Sequence, residues 1–437
     1  MTKDTSIFKQ FARYSSLNVF GMLALSCYIL ADTFFVSKGL GTNGLTALNL
    51  AIPIYSFIHG CGLMVGMGAA TKFSIYRIQG KKKEANEAFT HSIFLGAIIA
   101  LIFFMIGLFL SEDIIRLLGA NKDVFDMSKT YLQVILLFAP AFMLNEIMLC
   151  FVRNDGAPQL VMLAMLTGSV SNIILDYIFI FPFGMGIFGA VLATGIAPII
   201  NLIVLSPFFI KKENSFSLAK CKISFGFITE ILSTGLPSLI TEVSTGIVII
   251  VFNTIILSLM GNIGVAAYGV IANLSLVVIS TYTGIAQGIQ PLISNYYGGK
   301  KYLELKQILR YAMITMLILS IVVYIVIYFG APEIAGIFNS ENNMDLQKTA
   351  VEGLKIYFIA CPFVGFNIIM SVYFTSTEKP KPANAISLLR GFIIIIPLAF
   401  LLSYMVGMLG IWFVFPTTEL TVSIVALASY ILLKKNK

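Results

Sequence analysis

The sequence predicts an all-α integral membrane protein. Its expected form is twelve transmembrane helices in two six-helix lobes, related by a pseudo-twofold axis along the membrane normal. Three observations predict it. Of 437 residues, 58% are hydrophobic and only 11% charged, whereas a soluble domain carries about a quarter charged residues. The apolar residues gather into twelve runs, each close to the roughly 20 residues that an α-helix needs to cross a bilayer. Sequence signals recur at an interval of 219 to 222 residues, so the last six runs repeat the first six. Together these exclude a cytosolic globular enzyme and a disordered chain.

The runs fall near residues 15–38, 46–71, 90–111, 132–153, 160–183 and 187–210, then 235–260, 264–288, 310–330, 354–376, 383–406 and 410–433. Each is too long for a barrel strand and lacks period-two alternation. The first follows a polar segment with Lys3, Lys9 and Arg13 and has no small-residue cleavage site, so it reads as a retained span. The second is rich in glycine (Gly60, Gly62, Gly66, Gly68), which permits close helix packing. His59 lies among those glycines; it reads more simply as structural than as a proton relay. The fourth carries Asn145, Glu146 and Arg153, the fifth Asn172 and Asp176, and the sixth Thr194. The segment Lys211–Ser224 is the longest polar cytoplasmic interruption. It divides an N-terminal lobe (1–210) from a C-terminal lobe (225–437), with 211–224 as a cytoplasmic linker. The seventh run holds Gly235-Leu-Pro237 and Glu242, and the eighth Asn273, Ser280 and Gln287 at spacing seven, expected to share one face. Asn367 marks the tenth, Arg390 opens the eleventh, and Glu419 sits in the twelfth.

The repeat is legible residue by residue. Gly41-Thr-Asn-Gly44 matches Gly261-Asn-Ile-Gly264, and Ser74-x-Tyr76 matches Ser294-x-Tyr296. Pro140, Asn145 and Pro158 fall opposite Pro362, Asn367 and Pro380, and Gly186-x-x-Gly189 falls opposite Gly407-x-x-Gly410. Six spans per half give both halves the same orientation, the parallel-repeat design of many secondary transporters. With both termini in the cytoplasm, 23 of the 29 Lys and Arg residues lie on the inner side. That bias predicts insertion in a bacterial inner (plasma) membrane with N and C termini inside. It also accounts for the net charge of +8 without a nucleic-acid partner. The five cysteines are scattered and the two histidines are far apart, so neither a disulfide framework nor a zinc site is implied. No cofactor is expected.

Acids inside a bilayer are costly and point to function. Five lie within spans: Asp32, Glu146, Asp176, Glu242 and Glu419. Tyr28 sits one turn before Asp32. Ser169, Asn172 and Asp176 form one stripe at helical spacing. With Thr194, these oxygens suit Na⁺, or a proton held by buried carboxylates. The repeat sets Phe252 opposite Asp32, so the second half lacks this pair. A scaffold role would more often survive in both copies, as with Asn145 and Asn367. Glu242, Asn273, Ser280, Gln287, Glu419 and Arg390 are expected to line a substrate cleft, Glu242 and Glu419 attracting a cation. The competing reading pairs Glu419 with Arg390 inside the lobe and leaves Gln287 as a cap on a packed interface. Glu146 is ambiguous, being two turns from Arg153. Lys72 and Arg153 are expected to snorkel at the cytoplasmic boundary.

On these residues the chain resembles the multidrug and toxic compound extrusion (MATE) family over essentially its whole length. The resemblance rests on Ala31-Asp32-Thr-Phe-Phe-Val36, on Asn172-x-x-x-Asp176-Tyr, and above all on Gly284-Ile-Ala-Gln-Gly-Ile-Gln-Pro291-Leu-Ile-Ser-Asn-Tyr-Tyr-Gly298. It implies a two-lobe fold and efflux of cationic or amphiphilic small molecules driven by inward H⁺ or Na⁺. By the same resemblance Asp32, Asn172, Asp176 and Thr194 match the family's first-lobe cation-site positions, Tyr28 a nearby aromatic, and Glu242 an acid of some subgroups. Two departures stand out: Leu17 occupies the place of a proline that often helps the first helix bend, and the tenth span offers Asn367 where some members have an acid. A monomer is expected. The alternatives are a lipid-linked precursor flippase, disfavoured because the intramembrane charges are mainly acidic, and an integral membrane transferase, disfavoured because the acids are dispersed.

Overall fold

The computed structural model describes residues 3–339 and 343–435; Lys437, one of the basic residues assigned to the inner side, lies outside them. All regular structure among these residues is helical. The helical stretch Lys3–Ile78 is divided at Gly41 into α1 (3–40) and α2 (42–78). Next come α3 (Lys82–Phe109), α4 (residues 125–154), α5 (Pro158–Ile180) and α6 (Gly186–Ile210). The stretch Phe225–Gly298 is divided at Gly261 into α7 (225–260) and α8 (262–298). Then follow α9 (Tyr302–Phe338), α10 (residues 344–376), α11 (residues 380–406) and α12 (Met408–Lys435). These are the twelve spans, six to a lobe.

The repeat is visible in the backbone. Gly41 has φ 66° and ψ −157°, and Gly261 has φ 64° and ψ −154°. That region is open essentially to glycine alone. A Cβ at either position would meet nothing within 4 Å, so backbone conformation, not space, selects the residue. Each glycine lets one span turn into the next with almost no loop. α4 bends by 48° between Leu137 and Ala139, where Pro140 supplies no N–H to the preceding turn. Its counterpart Pro362 follows a short 3₁₀ turn, Phe358–Ala360, in α10. α1 has no such break between its start and Gly41, in keeping with Leu17 in place of a proline.

Each lobe has its own core. In the first, Phe73, Phe89 and Phe151 enclose Phe216, a buried residue of the linker whose ring lies 4.6 Å from that of Phe89. The linker is thereby docked onto the N-terminal lobe. In the second, Trp412, Tyr282 and Phe252 are fully buried. The outward faces keep large apolar side chains exposed, such as Leu101 and Met105 on α3 and Ile318, Ile325 and Phe329 on α9. That is the surface lipid requires.

The lobes meet along the half of the molecule that carries the termini. Two glycines make the closest approach. A Cβ on Gly235 of α7 would fall 1.8 Å from the Met64 carbonyl oxygen, and one on Gly68 of α2 would fall 2.1 Å from that of Ile231. On the other side of the contact, Gly284 and Gly288 of α8 lie against the backbone of α1 at Val19 and Ser15. Small residues here let backbones touch, which is how helices associate without a hydrophobic driving force. Replacing Gly68 or Gly235 with valine should therefore destabilise the closed contact by about 1–3 kcal/mol. A fall in the apparent melting temperature of purified protein checks this, and an unchanged value would show that the lobes are not held there.

Candidate functional site

The first group lies wholly in the N-terminal lobe. α1 presents Tyr28 and Asp32, α5 presents Asn172 and Asp176, and α6 presents Thr194; all five are buried. The two carboxyl groups lie close enough to interact with each other. With its amide turned so that donors meet acceptors, Asn172 Nδ2 donates to Asp176 Oδ2 at 3.1 Å and its Oδ1 accepts from the Thr194 N–H at 3.2 Å. Thr194 Oγ1 is bound to the Ala190 carbonyl at 3.2 Å. The Oδ1 atoms of Asp32 and Asp176 are buried with no partner. Acceptor oxygens in that state call for a proton or a cation.

Two residues the sequence reading passed over belong here. The buried Tyr131 side chain on α4 stands beside Thr194, and the Tyr55 hydroxyl on α2 lies 3.0 Å from that of Tyr28. A signal was present: Tyr55 sits inside an apolar run and Tyr131 at the start of another, where a phenol needs a polar partner.

The second group is a cleft of about 210 Å³ walled mainly by α7, α8 and α10. Glu242, Gln287, Arg390 and Glu419 line it beside the aromatic rings of Tyr268, Tyr357 and Phe415. Two expected members do not. Asn273 is exposed and lies outside the lining, and Ser280 is turned to the other lobe, where its Oγ accepts from Ser26 Oγ at 2.6 Å. Spacing of seven drifts by about 20° per step on a 3.6-residue helix. The lining face of α8 instead runs through Ala272, Leu276, Ile279, Thr283 and Gln287.

Glu419 is nearly inaccessible, and its charge is met from two sides. Arg390 Nε and Nη2 donate to Oε1 at 3.0 and 2.8 Å, and Asn367 Nδ2 donates to Oε2 at 2.7 Å. Arg390 reaches it from a π-helical turn, Leu389–Ile393. Glu242 has no Arg or Lys partner among the described residues. Its Oε2 faces His59 Nδ1 at 3.5 Å, and His59 Nε2 faces Glu146 Oε1 at the same distance.

Lys72 and Arg153 do not snorkel. Arg153 is buried and donates to Asn18 at 2.8 Å and to Gln287 across the lobe boundary at 2.6 Å. Lys72 donates to Glu230 at 2.6 Å and Glu378 at 2.9 Å, both in the other lobe. The expectation failed because it weighed each cation against water, whereas lobe closure supplies acceptors nearer than solvent.

The Arg390–Glu419 pair should behave as a buried ion pair. Arg390→Ala leaves a carboxylate without its cation and should cost about 3–5 kcal/mol, whereas Arg390→Met with Glu419→Leu should recover much of that loss. Thermal denaturation of the single and double variants measures it; equal losses would mean that the pair is not a unit.

Comparison with known proteins agrees with this architecture. The sequence model of the MatE family matches residues 18–178 and again residues 237–401, one copy in each lobe. The chain is 27% identical over 413 residues to the multidrug export protein MepA of Staphylococcus saprophyticus, covering 94% of this chain and 90% of that protein. A crystal structure of MATE in complex with MaL6 superposes with a TM-score of 0.91 at 24% identity, covering all of both chains. An outward-facing conformation of a multidrug resistance MATE transporter of the MOP superfamily superposes with a TM-score of 0.91 at 23% identity, over 100% of this chain and 99% of that one. The doubled match spans most of the chain: this protein belongs to the MATE family, whose members are membrane transporters and not enzymes.

Proposed function

We propose that this protein is a proton-coupled antiporter that exports cationic or amphiphilic small molecules by alternating access, acting as a monomer in a bacterial inner membrane with both termini in the cytoplasm. The observation that carries this reading is the buried Asp32–Asp176 pair. Two buried carboxylates set against each other repel when both are ionised, and a proton taken up by one of them relieves that repulsion. This is the reason for choosing H⁺ over Na⁺ as the coupling ion.

In this mechanism a proton from outside enters the pair and removes negative charge from the first lobe. Coupling requires that the proton favour one lobe arrangement and the substrate the other. Glu242 provides the cleft's attraction for a cation, since Glu419 is already neutralised by Arg390. The aromatic walls suit a flat or lipophilic body. The lobe contacts on the termini side, including Lys72 with Glu230 and Glu378, would open when the cleft turns to the cytoplasm.

In proteoliposomes carrying an imposed pH gradient, Asp32→Asn and Asp176→Asn should reduce counter-transport of a fluorescent cation to background while leaving membrane insertion intact. Wild-type rates in both variants would sink the assignment. Transport driven by a sodium gradient and not by a pH gradient would replace the proton by Na⁺. Glu242→Gln should weaken apparent affinity for a monovalent organic cation by roughly tenfold, the loss of one charge-assisted contact, with little effect on a neutral amphiphile.

A further inference from the structure

We propose that His59, Glu146 and Glu242 form a second titratable site that bridges the two lobes, holds one proton as an imidazolium, and yields Glu242 to a cationic substrate. The link to substrate rests on the transport reading; the proton-holding bridge does not.

The site is built by the backbone. His59 on α2 is followed by two glycines, Gly60 and Gly62, that each admit one neighbouring helix. A Cβ on Gly60 would meet the Glu242 Cβ of α7 at 3.1 Å, and a Cβ on Gly62 would meet the Glu146 Cβ of α4 at 2.9 Å. The two glycines thus bring one carboxylate from each lobe to the two ring nitrogens of His59, each at 3.5 Å. A neutral imidazole donates from one nitrogen and turns a lone pair to the other carboxylate; only the imidazolium donates from both. Asn145 Nδ2 donates to the same Glu146 oxygen at 3.0 Å.

The titratable groups facing His59 are few. From its own helix there is Tyr55, with ring centroids 6.1 Å apart; from α4 there is Glu146, and from α7 Glu242. Tyr28 of α1 stands one hydrogen bond beyond Tyr55, at 3.0 Å. No Lys or Arg pairs with either glutamate among the described residues. Two carboxylates in a low-dielectric site with no other cation need a positive partner. Two tyrosines link these groups toward the N-lobe carboxylates. Asp176 meets Asp32; Tyr28, one turn from Asp32, meets Tyr55; and Tyr55, one turn from His59, stacks on it. These groups lie between the N-lobe carboxylate pair and Glu242 in the cleft. If the lobes part here, His59 loses one of its two carboxylates and its hold on the proton weakens. A cation entering the cleft competes with the imidazolium for Glu242 and has the same effect.

The histidine count makes the test direct. The other histidine, His91, is bound to the Glu87 carbonyl and the Ser224 N–H, away from the cleft. Full-length His91→Gln protein labelled with ¹⁵N-histidine and held in lipid nanodiscs reports His59 alone. At about pH 7 both ring nitrogens should carry protons. Glu242→Gln or Glu146→Gln in that background should lower the imidazolium fraction several-fold, and saturating tetraphenylphosphonium should do the same with Glu242 present. A neutral ring in the parent, or an imidazolium unmoved by either glutamine, overturns the bridge. An imidazolium that responds to the glutamines but not to the cation overturns the competition with substrate. None of these readings uses a gradient, so loss of gradient-driven transport in Asp32→Asn would leave them standing, and their failure would leave the transport assignment standing.

Discussion

A carboxylate surrounded by hydrocarbon must be given a partner by the protein, because water is absent and the cost of leaving it bare is several kcal/mol. The five acids inside these spans meet that demand in three ways. Glu419 takes a guanidinium and an amide from its own lobe. Asp32 and Asp176 lie beside each other, with Asn172 donating to Asp176. Glu146 and Glu242 share one imidazole across the lobe boundary. The first solution is permanent and structural. The other two leave room for a proton to come and go, and it is on these that the proposed coupling depends.

Duplication supplied the frame and divergence supplied the chemistry. Gly41 and Gly261 adopt nearly the same backbone angles, and Pro140 and Pro362 both sit at interruptions in their helices. Where Asp32 stands in the first lobe, the second has Phe252, buried against Tyr268 at a ring distance of 5.5 Å. One copy is therefore dry at the position where the other is polar. The second copy offers the cleft instead. A binding step in one lobe can then bias the other only through groups that touch both, which gives the small-residue contacts and the His59 bridge their weight.

Two left-handed residues show how far the repeat was free to drift. Gly156 in the first lobe has φ 102°, and the matching corner in the second is Glu378 at φ 53°. A conformation easy for glycine is strained for glutamate. The strained residue is also one that holds Lys72 of the opposite lobe. The corner has become part of the contact that closes the termini side.

The sequence by itself determined the twelve spans and the duplication, and it singled out Asp32, Asn172 and Asp176, which the fold buries in one group. Hydrophobic length, a constant repeat interval and charge inside an apolar run are local properties that survive without knowledge of neighbours. It also allowed Arg390 to pair with Glu419 without deciding the matter. What it could not decide was which helix faces meet. Ser280 went to Ser26 and Asn273 to the surface, because sequence spacing does not say which way a helix face turns and the interface chooses the rotation. Arg153 and Lys72 were drawn inward for the same reason. His59 read as an ordinary packed histidine, since its two carboxylate neighbours lie 87 and 183 residues away in sequence and only lobe packing brings them to it. Contacts of that range are a property of the tertiary structure: the glycines that permit them are visible in one dimension, but their partners are not.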